Sequence, residues 1–152
     1  MKEYIVGLIS DTHGLLRHDA FDFLKGCDAI IHAGDICNDN IITQLSTIAP
    51  VHAVRGNMDF NATYPASDLL TIGKNTFYIL HDLEKLDLDL QTAGVDVVVF
   101  GHSHQPESFR RNDVLYINPG SAGPKRRDRP ISLARLHLKN NCLIPDFIEL
   151  GA

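Results

Sequence analysis

Val97-Val98-Val99-Phe100-Gly101-His102-Ser103-His104 runs from an apolar, β-branched stretch through a glycine into two imidazoles one residue apart. A continuous apolar run of this kind reads as a strand buried on both faces. A strand that ends in glycine and then offers two histidines is suited to holding a metal at its C-terminal edge. Two histidines at i and i+2 also occur in solvated loops, so the weight of the reading comes from recurrence upstream.

Tyr4-Ile5-Val6-Gly7-Leu8-Ile9 is another apolar run, and it delivers Asp11 and His13 to its exit. Leu16, Ala20, Phe21 and Leu24 then recur at helical spacing up to Gly26, as an amphipathic helix packed back on a sheet would require. Ala29-Ile30-Ile31-His32-Ala33 repeats the design and exits through Gly34-Asp35. Asn38 or Asp39 can cap a second helix carrying Ile41, Ile42, Leu45 and Ile48, which Pro50 ends. Val51-His52-Ala53-Val54 leaves through Arg55-Gly56-Asn57-Met58-Asp59. Strand, polar exit, helix, strand is the alternation of a parallel sheet, whose ligands collect beyond the carboxyl ends of the strands.

Residues 68–72 and 76–80 flank Gly73-Lys74-Asn75 and predict a hairpin whose second strand presents His81-Asp82. Leu83, Leu86, Leu90 and Ala93 fit a helix closed by Gly94, although Leu86-Asp87-Leu88-Asp89-Leu90 alternates as a strand does. Beyond Glu107 the pattern becomes all-β. Arg110-Arg111-Asn112-Asp113 forms a turn, Asn118-Pro119-Gly120-Ser121 has the order a type II turn requires, and residues 129–138 and 142–149 form an antiparallel tail. The expected architecture is α/β: two packed sheets with helices outside, in one domain over residues 1–152.

Composition bounds the function. A chain of 152 residues with 44% hydrophobic and 22% charged residues is an ordinary globular protein. A formal charge of −5 argues against bulk nucleic-acid binding. Cys27, Cys37 and Cys142 are odd in number and lack metal-site spacing, which suits a reducing cytoplasm. Met1-Lys2-Glu3 leads straight into a strand-like run, and no apolar stretch reaches membrane-spanning length, so neither a leader nor a membrane anchor is expected.

Five strand exits thus carry Asp11 with His13, Asp35, Asn57 with Asp59, His81, and His102 with His104. Carboxylate oxygen mixed with imidazole nitrogen suits Mn, Fe, Zn, Co or Ni better than calcium. Seven candidate ligands exceed what one ion takes from protein, and a carboxylate such as Asp35 can bridge two. Taken singly, Asp11 or Asp35 could be a helix cap, Asn57 a turn residue and His81 a satisfied core histidine. Those explanations do not account for ligand types at exit after exit, usually beside glycine. His18, His32, His52 and His137 lack this placement and read as surface or packing residues. Lys125-Arg126-Arg127 reads first as a solvated face, with an anionic substrate as the lesser alternative.

Asp11-x-His13, Gly34-Asp35, Gly56-Asn57-x-Asp59, His81 and Gly101-His102-x-His104 resemble, in order and spacing, the calcineurin-like metallophosphoesterase superfamily. The short chain, Gly56-Asn57-Met58-Asp59 and the Asn118-Pro119-Gly120-Ser121 loop are most similar to its small bacterial and archaeal phosphodiesterase branch. The resemblance implies a four-layer αββα sandwich of two mixed sheets flanked by helices, and a dinuclear site with manganese as the first expectation. It places Asp11, His13 and His104 on one ion, Asn57, His81 and His102 on the other, and Asp35 between them. It implies a phosphodiesterase of small phosphate esters, and Asn57 and Asp59 are the candidate catalytic residues. A protein-binding scaffold, such as the retromer subunit that shares this fold, and a phosphomonoesterase are the alternatives, and a homo-oligomer is compatible. Two positions depart from the family. Met58-Asp59 follows Gly56-Asn57 where relatives carry histidine and glutamate, so the usual protonating histidine is absent and Asp59 is expected to orient Asn57 or a water. Asp82 stands where glycine is usual, as a carboxylate supporting the second ion or as a turn residue.

Overall fold

The computed structural model describes residues 3–60 and 63–151; Met1 and Lys2, on which the expectation of no leader rests, lie outside them. The strands in chain order are β1 (Tyr4–Ile9), β2 (Ala29–His32), β3 (Val51–Ala53), β4 (Ser67–Ile72), β5 (Asn75–Leu80), β6 (Val97–Val99), β7 (Glu107–Arg111), β8 (Val114–Asn118), β9 (Ile131–Lys139) and β10 (Cys142–Leu150). The α-helices are α1 (His18–Leu24), α2 (Asp39–Leu45) and α3 (Leu90–Ala93). One five-stranded sheet has the order β10-β9-β1-β2-β3 and the other β4-β5-β6-β8-β7. Both are mixed: β1, β2 and β3 pair in parallel and β9 joins β1 antiparallel, while β5, β6 and β8 are parallel between antiparallel edges.

Period-2 alternation sorts the apolar residues into layers. Val6, Leu8 and Ile31 of one sheet meet Phe77, Ile79, Val97, Val99 and Ile117 of the other in a core between the sheets. The opposite faces turn outward. Ile9 and Ile30 pack on Ala20, Leu24, Ile41 and Leu45 from α1 and α2, and Val98, Phe100 and Tyr116 are covered by Leu83, Leu86, Leu90 and Ala93. These are the four layers of an αββα sandwich. Phe77 is fully buried at the centre, and truncation to alanine there would cost about 3–5 kcal/mol.

Two expectations are corrected. The segment after His81 is neither one helix nor a strand. A 3₁₀ turn at Leu83–Lys85 and the single-turn α3 are separate pieces, each started by an aspartate that caps it, Asp82 and Asp89. The leucines reach the outer face of the sheet without a continuous helix, because alternate aspartates keep the chain at the surface between them. The hairpin turn is two residues, Gly73-Lys74, since Ile72 pairs with Asn75. The Asn38 side chain caps α2, and Gly94 closes α3 at φ 70°.

The chain passes between the sheets twice, between β3 and β4 and between β8 and β9. Both crossings leave and enter at the carboxyl ends of the parallel strands, where the expected ligands gather.

Candidate metal centre

Glycines let the strand exits crowd together. A Cβ at Gly56 would stand 2.2 Å from Asp35 Oδ1, and one at Gly101 would stand 2.2 Å from Ser10 Oγ and 2.7 Å from Asp11 Oδ2. Gly-Asn and Gly-His therefore recur at these exits because the backbone of one ligand loop lies against the carboxylate of the next. The crowding is matched by unusual backbone: Asp11, His13, Asp35, His102 and His104 all have positive φ, at 54°, 45°, 56°, 73° and 62°. Each non-glycine residue held there costs about 1–3 kcal/mol and persists only where the surroundings over-determine it. Backbone bonds provide that constraint: Asp11 N donates to Gly34 O and His13 N to Asp35 O, both at 2.9 Å.

The side chains converge in two groups. Asp11 Oδ1 lies 3.3 Å from His104 Nε2 and 3.9 Å from His13 Nε2, with the His13 and His104 ring centroids 5.4 Å apart. Asn57 Oδ1 lies 3.0 Å from His81 Nε2 and 3.2 Å from His102 Nδ1, with the His81 and His102 ring centroids 5.1 Å apart. Two carboxylates stand between the groups. Asp35 Oδ2 is 3.6 Å from His13 Nε2 and 3.3 Å from His81 Nε2. Asp11 Oδ1 also approaches His81 Nε2, at 3.8 Å, so it is placed as centrally as Asp35. Asp11, His13 and His104 on one side, and Asp11, Asp35 and His81 on the other, have ligand atoms close enough to share an ion.

Hydrogen bonds to the outer atoms of Asp11, Asp35 and His81 aim their inner ones. Asp11 Oδ2 accepts from Ser10 Oγ at 2.7 Å and from His102 N at 3.2 Å. Asp35 Oδ1 accepts from Met58 N at 2.8 Å. His81 Nδ1 lies 2.8 Å from Ala33 O; a carbonyl can only accept, so Nδ1 carries the proton of the neutral ring and Nε2 offers a lone pair. Asp11 Oδ1, His13 Nε2 and His104 Nδ1 are buried without a hydrogen-bond partner, each at a cost of about 1–3 kcal/mol. His81 Nε2, Asn57 Oδ1 and Asp35 Oδ2 turn electron pairs toward one another. Such a cluster calls for a cation, and its oxygen and nitrogen donors fit a borderline divalent ion.

The electrostatics agree with that demand. Burial works to raise the Asp11 carboxyl, but His104, His81 and Ser10 hold it below the usual range. Asp35 is held low in the same way, against burial, by His81 and the Met58 amide. His81 is raised despite burial by Asp35 and Asp11. Burial lowers His13, with Asp35 and Asp11 opposing.

The structure puts Asp59 and Asp82 to definite uses. Asp59 Oδ2 accepts from Gly56 N at 2.8 Å and Ile36 N at 3.1 Å, and Oδ1 accepts from Cys37 N at 2.8 Å. Both oxygens are committed to backbone and tie the Asp35 loop to the Asn57 loop. Asp82 accepts from Glu84 N at 3.1 Å as the cap of the 3₁₀ turn, and among the described residues it makes no hydrogen bond to a candidate ligand.

Several supports went unread in the sequence. Asn118 Nδ2 donates to Gly101 O and Ser103 Oγ, both at 3.1 Å, and Ser121 Oγ donates to Asp11 O at 3.0 Å; the Asn-Pro-Gly turn was the one available signal. His32 is fully buried, accepts from Gly34 N at 3.1 Å and stands 3.0 Å from Thr12 Oγ1, which donates to Ile36 O. It is a packing residue that locks two ligand loops together. His18 is exposed beside Asp22. A cleft of about 350 Å³ opens beside Asn57, His81 and His102, and Arg55, Ser67, Tyr78 and Lys85 also line it.

Two mixed sheets with carboxylates and imidazoles converging at the carboxyl ends of the strands fit the architecture of a metallophosphoesterase. Residues 5–141 match the family model of the calcineurin-like phosphoesterase superfamily domain, and the chain belongs to that superfamily. It is similar to a probable metallophosphoesterase of the archaeon Methanothermobacter thermautotrophicus, 33% identical over 97% of this chain and 94% of the relative. Among solved structures it resembles an archaeal phosphodiesterase, with a TM-score of 0.82 and 23% identity over 96% of this chain and 99% of that one. It also resembles Vps29 of Entamoeba histolytica in complex with zinc, with a TM-score of 0.67 and 21% identity over 95% of this chain and 98% of that one. No helix among the described residues is long and apolar enough to cross a membrane.

Proposed function

We propose that this chain is a divalent-metal-dependent phosphodiesterase of small phosphate esters that works with two ions, manganese first among them. The observation that carries the reading is the pair of buried, unpartnered atoms Asp11 Oδ1 and His13 Nε2, with His104 Nε2 beside them, next to the mutually facing lone pairs of His81, Asn57 and Asp35. Asp11, His13 and His104 would hold one ion and Asn57, His81 and His102 the other, with Asp35 shared. Bound there, divalent ions supply Lewis-acid polarisation of phosphoryl oxygens and bring water toward its reactive form near neutral pH. The chain's own part is to hold the ligands at fixed geometry, with Asp59 as a positioning residue and Asn57 beside the reacting phosphate. Cysteines that are all free suit a cytoplasmic setting.

Preference for diesters is supported by space on both sides of the centre. The cleft beside Asn57, His81 and His102 leaves room for one substituent, and a second cavity of about 290 Å³ beside His104 leaves room for the other. The test is hydrolysis of aryl diesters, aryl monoesters and cyclic nucleotides with Mn²⁺, Ni²⁺, Zn²⁺ or Co²⁺ supplied. Metal-dependent turnover with diesters ahead of monoesters is expected, and monoesters ahead would reverse the assignment. The similarity to Vps29 motivates a second reading, a non-catalytic scaffold. Vps29 itself has been crystallised with zinc, so metal binding cannot separate the two readings, and absence of turnover on every ester in the metal-loaded protein would favour the scaffold.

A further inference from the structure

The Lys125-Arg126-Arg127 run stands beside the candidate centre. Arg126, Arg127 and Arg129 line one cavity of about 290 Å³ together with Ser103, Asp128 and the candidate ligand His104. The loop is braced. Gly123 lies so close to Thr12 that a Cβ would meet its carbonyl oxygen at 2.2 Å, and Arg17 Nε donates to Gly123 O at 3.2 Å. Arg129 Nε donates to Ser103 O at 3.2 Å, Lys125 Nζ donates to Arg129 O at 2.5 Å, and Arg126 and Arg129 form an isolated β-bridge. Arg129 thereby ties the loop to the His102 to His104 segment, and Lys125 ties the loop to itself.

Arg126 and Arg127 are left over. Both are exposed, and neither guanidinium has a hydrogen bond or ion pair among the described residues. The charge of Arg126 reaches His13, where it adds to the burial that disfavours protonation of that ring. A basic run whose only role was solvation would not need bracing against a ligand loop, in a chain of net charge −5. A guanidinium's planar fork matches phosphate oxygens two at a time. We propose that Arg126 and Arg127 form a subsite for a second phosphoryl group carried by the substrate, on the His104 side of the scissile diester. This rests on the phosphodiesterase reading, and names a phosphorylated alcohol as the retained half of the substrate.

The experiment compares two diesters that share a leaving group, the 5′-(p-nitrophenyl) ester of thymidine phosphate with a 3′-hydroxyl or a 3′-phosphate, in the manganese-loaded protein. The 3′-phosphorylated ester is expected to be favoured by about tenfold or more in kcat/KM, chiefly through KM, as charge-assisted contacts would provide, and the preference should shrink with added salt. In Arg126→Ala/Arg127→Ala the ratio should fall to within about twofold of unity, while removal of a cation elsewhere, Arg110→Ala, should keep it. A ratio near one in the parent, or the same ratio in the double variant, overturns the proposal. If the double variant fails to fold, Arg126→Gln and Arg127→Gln singly carry the same comparison.

Calorimetric titration with thymidine 3′,5′-bisphosphate and thymidine 5′-monophosphate reads the subsite without turnover. Tighter binding of the bisphosphate that depends on the two arginines, with neither ester hydrolysed, would retract the phosphodiesterase reading and keep the subsite. Hydrolysis of both esters with equal binding of both nucleotides would retract the subsite and keep the phosphodiesterase reading.

Discussion

Met58 N donates to Asp35 Oδ1 at 2.8 Å, which leaves Asp35 Oδ2 between His81 Nε2 and His13 Nε2 at 3.3 and 3.6 Å. In Asp35→Asn the carbonyl would keep the Met58 amide, and the amide NH₂ would point its hydrogens at the place a cation should occupy. We expect this variant to lose most activity and to bind both ions more weakly, with the fold intact. Asp11→Asn should behave alike, because Asp11 Oδ1 also approaches both histidine groups. Metal content by mass spectrometry decides the matter, and two tightly held ions with near-normal turnover in either variant would remove that residue from the shared position.

Gly56 tests whether crowding holds the ligands. Its missing Cβ would fall 2.2 Å from Asp35 Oδ1 and 2.5 Å from Asp35 N, so Gly56→Ala must displace that carboxylate. A displaced ligand should lower metal affinity by about 10- to 100-fold, the range seen when a ligand loses its orienting contacts. Unaltered metal titration would mean that the loops separate without consequence.

Asp59 is expected to act through position rather than proton transfer. Its carboxylate satisfies three amides, and in Asp59→Asn the NH₂ group must face at least one of them. The expected result is a stability loss of about 1–3 kcal/mol in chemical denaturation together with weaker metal binding. With no protonating side chain at this exit, the parent should also show a steep dependence of kcat/KM on leaving-group pKa. A flat series would require an acid elsewhere, where a positioned acid typically contributes about 10²- to 10⁴-fold.

Asp82 separates a cap from a metal support. It caps the turn at Leu83–Lys85, so Asp82→Gly should leave metal titration unchanged and cost only a few tenths of a kcal/mol in stability. A drop in metal affinity of about tenfold or more would restore the supporting role.

His32 gives the apo protein a dependence on pH. Burial pushes its imidazole down to about 4 from 6.5, and the ring serves as a neutral link between Gly34 and Thr12. Between those values the unfolded chain binds the extra proton, so stability rises with pH. The contribution is complete above about pH 6.5 and fades as pH falls toward 4, by up to about 3 kcal/mol. Urea midpoints in EDTA at pH 7 and pH 5 should therefore differ more for the parent than for His32→Gln. Equal pH dependence in the two would place the sensitivity in other groups, His13 among them.

The order of strands, their apolar faces and the residues at their exits were legible in the sequence, because a buried strand must be apolar and the residues after it must turn. Asp11, His13, Asp35, Asn57, His81, His102 and His104 were visible for that reason, and the resemblance to the superfamily was read from them. Which atoms face inward was not legible. The left-handed backbone at Asp11, His13, Asp35, His102 and His104 is imposed by contacts between loops far apart in the chain, and local propensity opposes it. The same holds for Asp59, whose three amide donors come from two loops joined only by folding, and for Leu83 to Ala93, where packing on the outer sheet overrides a helical pattern. Arg126 and Arg127 read alone as a solvated run; their place beside His104 depends on a crossing between sheets. Periodicity along the chain determined the layers, while contacts across it decided what the candidate site can hold.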